Sequence, residues 1–134
     1  MKFEDKYFQS FNFTKNQVRK NLDNAIKDLG IAKKDQILEV KFSYAYSALI
    51  KAGLTLLSHF NKKIKSVPGH HVKIIEVLAW ALNDDSINDI GNAMRTKRNL
   101  DMYSGGIEIT EKECRTYIDF VINIINLIRK VINY

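Results

Sequence analysis

The residues best suited to chemistry in this chain lie in "KRNLDMYSGG", positions 97 to 106, where Arg98, Asn99, Asp101 and Tyr103 fall within six positions. Helical spacing places Arg98 four residues after the inward-facing Met94. It puts Arg95, Asn99 and Tyr103 on an adjacent line, each four residues apart. An ionised Arg turned toward a bundle interior is costly unless it is paired or holds an anion. Two uses remain open at this level. Arg98 binds an anion, or it complements a helix C-terminus and pairs with Asp101, which can equally pair with Lys97, before Ser104, Gly105 and Gly106 stop the helix.

Other reactive side chains carry less. His70 and His71 are adjacent, so on a helix they point about 100° apart and cannot chelate one metal together; capping or packing at a helix start is their expected use. His59 ends an apolar seam, where an imidazolium complements the helix dipole. Tyr44 and Tyr46, within "FSYAYSAL", read as core or interface aromatics. Their assignment to a site would require a hydroxyl directed at a polar cleft. The single Cys114 falls within a helical pattern and is expected to be structural. No HExxH, paired cysteines or phosphate-cradling Gly-rich loop occurs, so no metal or cofactor is expected.

Helices must position these groups. Thr14 and Gln17 form a capping box before a stripe of Val18, Leu22, Ala25, Ile26 and Leu29, which Gly30 is expected to terminate. Leu38, Phe42, Ala45, Leu49, Ala52, Leu56 and Phe60 alternate at spacings of four and three, giving a long second helix. "NKKIKSVPG", positions 61 to 69, breaks the pattern as a loop. A third helix runs through His71, Ile75, Leu78 and Leu82. Asp85 or Ser86 should cap a fourth with Ile87, Ile90 and Met94 inward. Thr110 and Glu113 form a second capping box before a last helix nearly reaching Tyr134, with Tyr117, Val121, Ile124, Ile128 and Val131 or Ile132 on one stripe. Ile118, Ile122, Ile125 and Leu127 widen that stripe, so either several neighbours bury it or a second copy of the chain covers it. Residues 1 to 13, with Phe3, Tyr7, Phe8, Phe11 and Phe13, read as an aromatic arm of one or two amphipathic turns packed on the bundle, in preference to a partner-binding peptide or a stacking platform for bases, which usually comes with interleaved Arg.

At 134 residues the chain fits one all-α domain, 1–134, large enough to bury a core without a disulfide or metal. The net charge of +6 permits a polyanionic partner, nucleic acid or acidic protein, although the lysines are spread along the chain. No window approaches the roughly 18 apolar residues of a membrane span, and the expected location is the cytoplasm.

"FSYAYSALIKAGLTLL", the "GHH" of positions 69 to 71, "RNLDMY" and "IEITEKECRTYIDFVINII", in that order, resemble the HEPN domain family (higher eukaryotes and prokaryotes nucleotide-binding) in its small stand-alone prokaryotic form. The resemblance runs from the second helix to the C-terminus. It implies an up-and-down bundle of about five helices, commonly a homodimer, acting as partner of a minimal nucleotidyltransferase in a two-component module of the toxin–antitoxin type. Many members are metal-independent ribonucleases whose motif is an Arg, a polar residue, a few spacers and a His. By position Arg98 and Asn99 match the first two, and Tyr103 stands in the slot of the His.

A phenol with a pKa of about 10 is a poor general base, which favours binding of nucleotide or RNA phosphates over cleavage. Arg98 would grip phosphate while Asn99 and Tyr103 hydrogen-bond base or ribose; Arg95, His70 and His71 complete the expected binding set. If the chain is an enzyme, Arg98, Asn99 and Tyr103 are its catalytic residues. The competing expectations are a ribonuclease toxin in which Arg98 stabilises the scissile phosphate and His70 or His71 moves the proton, and a purely structural dimeric bundle. In some toxins of the family the nucleotidyltransferase adenylylates a Tyr just after the motif; the corresponding position here is Gly105.

Overall fold

The computed structural model describes residues 1–103 and 105–134; the side chains of 101–103 lie outside that description. Among the described residues the elements are β1 (Phe8–Ser10), α1 (Lys15–Lys34), α2 (Leu38–His59), β2 (Lys62–Ile64), α3 (His70–Ala81), α4 (Ser86–Tyr103) and α5 (Glu111–Ile132). No helix among them is long and apolar enough to cross a membrane.

Both capping boxes form. Thr14 Oγ1 accepts from the Gln17 N–H at 3.1 Å while Gln17 Oε1 accepts from the Thr14 N–H at 2.8 Å, and Thr110 and Glu113 repeat the exchange. Gly30 does not stop α1. Its backbone stays helical, and Ala32, two residues further on, is fully buried. The helix ends at Asp35, whose carboxylate takes the Ile37 N–H at 2.9 Å and so offers the chain a turn in place of another helical bond. The first turn of α4 is likewise served one residue earlier than expected, by Asp84 Oδ1, which accepts from both the Ser86 N–H and its hydroxyl.

The long second helix is the hub of the bundle. α2 packs against α1, α3, α4, α5 and β2, and its seam residues Phe42, Ala45, Leu49, Ala52 and Leu56 are wholly buried. α5 returns across α1 and α2, burying Ile118, Val121, Ile124, Ile125, Ile128 and Ile132. Burial within the bundle therefore accounts for much of the wide stripe, and Ile132 rather than Val131 faces inward. One polar cluster joins α1 to α2: Asp28, only 6% exposed, accepts from Ser47 Oγ at 2.7 Å and pairs with Lys51 at 2.8 Å.

Two glycines bring α3 unusually close to its neighbours. A Cβ at Gly53 of α2 would stand 2.3 Å from Ile74 Cγ2, and one at Gly91 of α4 would stand 2.8 Å from Ile75 Cγ2. α3 is thereby held between α2 and α4, with its first turn set beside both.

The aromatic arm packs on the bundle as expected, with Phe8 in the core, but through a strand rather than amphipathic turns. β1 pairs antiparallel with β2 in the register Phe8↔Ile64, Gln9↔Lys63, Ser10↔Lys62. The expected loop at 61–69 thus contains a strand. Asn61, left-handed at φ 56°, turns the chain out of α2, and its side chain accepts from the Phe13 N–H at 3.1 Å. Phe8 and Ile64 face inward while Gln9 and Lys63 face out. Three residues per strand are too few for that alternation to stand out in sequence.

Candidate functional site

The close setting of α3 creates a cleft of about 400 Å³ between its N-terminus and α4, lined by the loop residues Ser66–Gly69, by His70, His71 and Val72, and by Arg95 and Asn99. None of these is acidic. Each group reaches the cleft for a local reason. Pro68 and left-handed Gly69 (φ 84°) turn the chain from β2 into α3. Gly69 occupies the N-cap position, so the first turn has no capping side chain. The His70 N–H bonds to the Val67 carbonyl and the Lys73 N–H to that of Gly69, whereas those of His71 and Val72 have no protein partner among the described residues.

The two histidines pack at the start of α3, their ring centres 4.5 Å apart, and give it no side-chain cap. His70 Nδ1 bonds the Val67 carbonyl at 2.8 Å, fixing the loop. His71 Nδ1 shares a 2.8 Å hydrogen bond with the hydroxyl of Tyr46, a residue only 5% exposed on α2. No group of three or more His, Cys, Asp or Glu suited to a metal occurs among the described residues.

Burial pushes the Tyr46 phenol up to about 12, against the smaller opposing pull of Arg95 and Arg98. Burial, then His70, Arg95 and Arg98, hold His71 below its ordinary value. Both partners of this bond are therefore uncharged at neutral pH, and Arg95 and Arg98 bring positive charge beside them. Arg95 is aimed by a relay along its own helix: its Nε donates to Asn92 Oδ1 at 3.1 Å, and Asn92 Nδ2 donates to the Asn88 carbonyl at 2.7 Å.

Of the residues the sequence singled out, the cleft unites His70, His71, Arg95 and Asn99. Arg98 is half-buried and close enough for its charge to act on Tyr46 and His71, without lining the cleft. The side chains of Tyr103 and Asp101 lie outside the described residues. Lys97 pairs with Glu113 at 3.5 Å and donates to the Glu108 carbonyl at 3.1 Å. Cys114 is buried with its thiol pushed up by desolvation, as a structural residue should be.

Sequence reasoning read Tyr46 as a core or interface aromatic and did not single out Asn92. A phenol at an inward position has to find a partner for its hydroxyl, and that was the available signal for Tyr46. Asn92 follows the periodicity of a solvated helix face and gave none. Comparison with protein-family models, with curated proteins and with solved structures finds no match.

Proposed function

We propose that the chain is a HEPN-like bundle protein that binds the phosphates of a nucleotide or RNA in the cleft between α3 and α4, as partner of a nucleotidyltransferase in a toxin–antitoxin-type module. The observation that carries the binding is one juxtaposition. A helix start with two unpartnered N–H groups faces Arg95 and Asn99 across a cleft with no acidic lining residue. Amide donors at the positive end of a helix dipole favour an anion, and a guanidinium adds charge and directed donors. The order of the "GHH" and "RNLDMY" segments is what points to the family, to the nucleotidyltransferase and to a homodimer. Leu100, 52% exposed on α4, is apolar surface available to a second copy.

Calorimetric titration of inorganic phosphate, a nucleoside monophosphate and a short RNA into wild type and Arg95→Ala tests the binding. The variant should bind at least about tenfold more weakly, the value of a hydrogen bond to a charged group. Equal affinity in the two proteins sinks the reading. Co-expression with the product of the neighbouring gene, which this reading expects to be a nucleotidyltransferase, followed by co-purification, tests the partnership.

A second reading, the ribonuclease, is favoured by one specific feature: the neutral imidazole of His71 stands in the same cleft as Arg95, within the field of Arg98. A neutral imidazole is able to accept a proton from a ribose hydroxyl while an arginine stabilises the phosphorane charge. Wild-type protein that leaves RNA intact on prolonged incubation without metal would eliminate it. Cleavage lost in both His71→Ala and Arg98→Ala would establish it over binding alone.

A further inference from the structure

We propose that the β1–β2 ribbon beside the cleft is a backbone track for single-stranded nucleic acid, so that the ligand of the cleft is a polynucleotide rather than a free nucleotide; this rests on the phosphate-binding reading of the cleft. The first observation is the location of the charge. Residues 40–75 hold Lys41, Lys51, Lys62, Lys63, Lys65 and Lys73 and no Asp, Glu or Arg, so this one segment carries a charge equal to the +6 of the whole chain. In the fold, Lys51 is taken by Asp28, and Lys73 by Glu4 and Glu76. Lys62, Lys63 and Lys65 make no ion pair with a carboxylate among the described residues: Lys62 donates to Ser10 Oγ at 3.1 Å and Lys65 to the carbonyl, not the carboxylate, of Asp5.

The second observation is continuity. Lys65 directly precedes Ser66, the first residue lining the cleft, and its N–H extends the strand ladder to the Tyr7 carbonyl at 2.7 Å. Lys63 lies two residues back, on the same face of the ribbon and roughly 7 Å away. That is comparable to the separation of successive phosphates in an extended single strand. A polynucleotide held in the cleft at one phosphate would meet these ammonium groups at the next ones.

The third is an aromatic within the track. Phe11 remains 43% exposed beside Phe13, with Lys63 Nζ 5.4 Å from its ring centre. An exposed ring flanked by an ammonium is the pairing used to stack bases while holding their backbone. Lysines also guard short edge strands against pairing with other chains. That need is met by one of them and explains neither the acid-free run of residues 40–75 nor the exposed ring beside it.

Fluorescence anisotropy with a labelled single-stranded RNA of roughly ten nucleotides tests the track, with a nucleoside monophosphate titrated in parallel. The oligonucleotide should bind at least tenfold more tightly than the mononucleotide. The double substitution Lys63→Gln with Lys65→Gln should remove most of that advantage and flatten the salt dependence by about 1.4 in log–log slope, two single-strand phosphate contacts, leaving mononucleotide affinity unchanged. Phe11→Ala should weaken the oligonucleotide on the order of tenfold and the mononucleotide not at all. Equal affinity for the two ligands, an unchanged salt slope in the double variant, equal binding of duplex RNA, or displacement by polyglutamate as effective as by unlabelled RNA would each overturn the track. The first three leave the cleft reading standing if Arg95→Ala still weakens the mononucleotide. Failure of wild type to bind either ligand overturns both.

Discussion

The hydroxyl of Tyr46 and the Nδ1 of His71, twenty-five positions apart in the chain, share a hydrogen bond of 2.8 Å that ties α2 to the first turn of α3. Two turns along α2 from Tyr46, Gly53 lets α3 approach α2 at Ile74, and the His71 held by the bond lines the cleft together with Arg95 and Asn99. Because burial keeps the phenol protonated and the imidazole neutral, the pair presents hydrogen-bonding capacity without cancelling or adding to the charge of the arginines.

His71 should therefore titrate below 6.5, and Arg95→Ala should move it upward, since removing a nearby cation restores part of the protonated form. The linkage has a definite sign. The unfolded chain takes up the His71 proton near 6.5 and the folded chain only at lower pH, so the unfolded state binds more protons between the two values. Stability contributed by neutral His71 is full above about 6.5 and declines as pH falls from there toward the depressed folded value. Imidazole proton shifts followed by NMR in wild type and Arg95→Ala check the titration, and urea unfolding across the same pH range with His71→Gln as control checks the linkage. A folded pKa at or above 6.5 refutes both.

Asn92 should matter to binding although it lines no part of the cleft. It holds Arg95 Nε at 3.1 Å and is itself held by the Asn88 carbonyl. Asn92→Ala should weaken phosphate binding severalfold, less than Arg95→Ala, while costing about 1 kcal/mol of stability for the lost bond within α4. In the double variant the two effects on binding should not add, because Asn92 acts only through Arg95. Additive losses in calorimetry would assign Asn92 a role of its own.

The helical bundle was legible because long helices announce themselves: the seam from Leu38 to Leu56 and both capping boxes stand in the structure as the spacing predicts. The cleft was legible in part. His70, His71, Arg95 and Asn99 were recognisable as polar groups near inward stripes, but their meeting depends on Gly53 and Gly91, whose role is a distance between helices and leaves no periodic trace. The ribbon was hidden for a different reason. β1 and β2 have three residues each, and Phe8 is drawn to the inner face only once Ile64, fifty-six positions away, pairs with it.

Tyr46→Phe isolates the bond itself. The ring is buried and the change keeps its volume, so the fold should persist with a loss of about 1 kcal/mol, the net worth of one hydrogen bond. Half-exposed His71 will find water in place of the phenol. A loss above about 3 kcal/mol in urea unfolding, beyond a buried unsatisfied partner, would mean that Tyr46 anchors α3 by more than this contact.

Two of the helical glycines, Gly30 and Gly53, should respond to alanine with opposite signs. At Gly30, in the interior of α1, an added Cβ meets nothing within 4 Å, so Gly30→Ala should stabilise by roughly 0.5–1 kcal/mol through helix propensity and a less flexible unfolded chain. At Gly53 the same methyl would stand 2.3 Å from Ile74 Cγ2 and 3.4 Å from the Ile74 carbonyl oxygen, in a wholly buried contact. α3 must then move away from α2, at a cost of about 1–3 kcal/mol. The displacement would also stretch the Tyr46–His71 bond, so phosphate affinity should fall in Gly53→Ala and stay unchanged in Gly30→Ala. Thermal unfolding together with phosphate titration of the two variants checks both halves. A Gly53→Ala protein as stable and as tight-binding as wild type would show that the glycine does not set the distance on which the cleft depends.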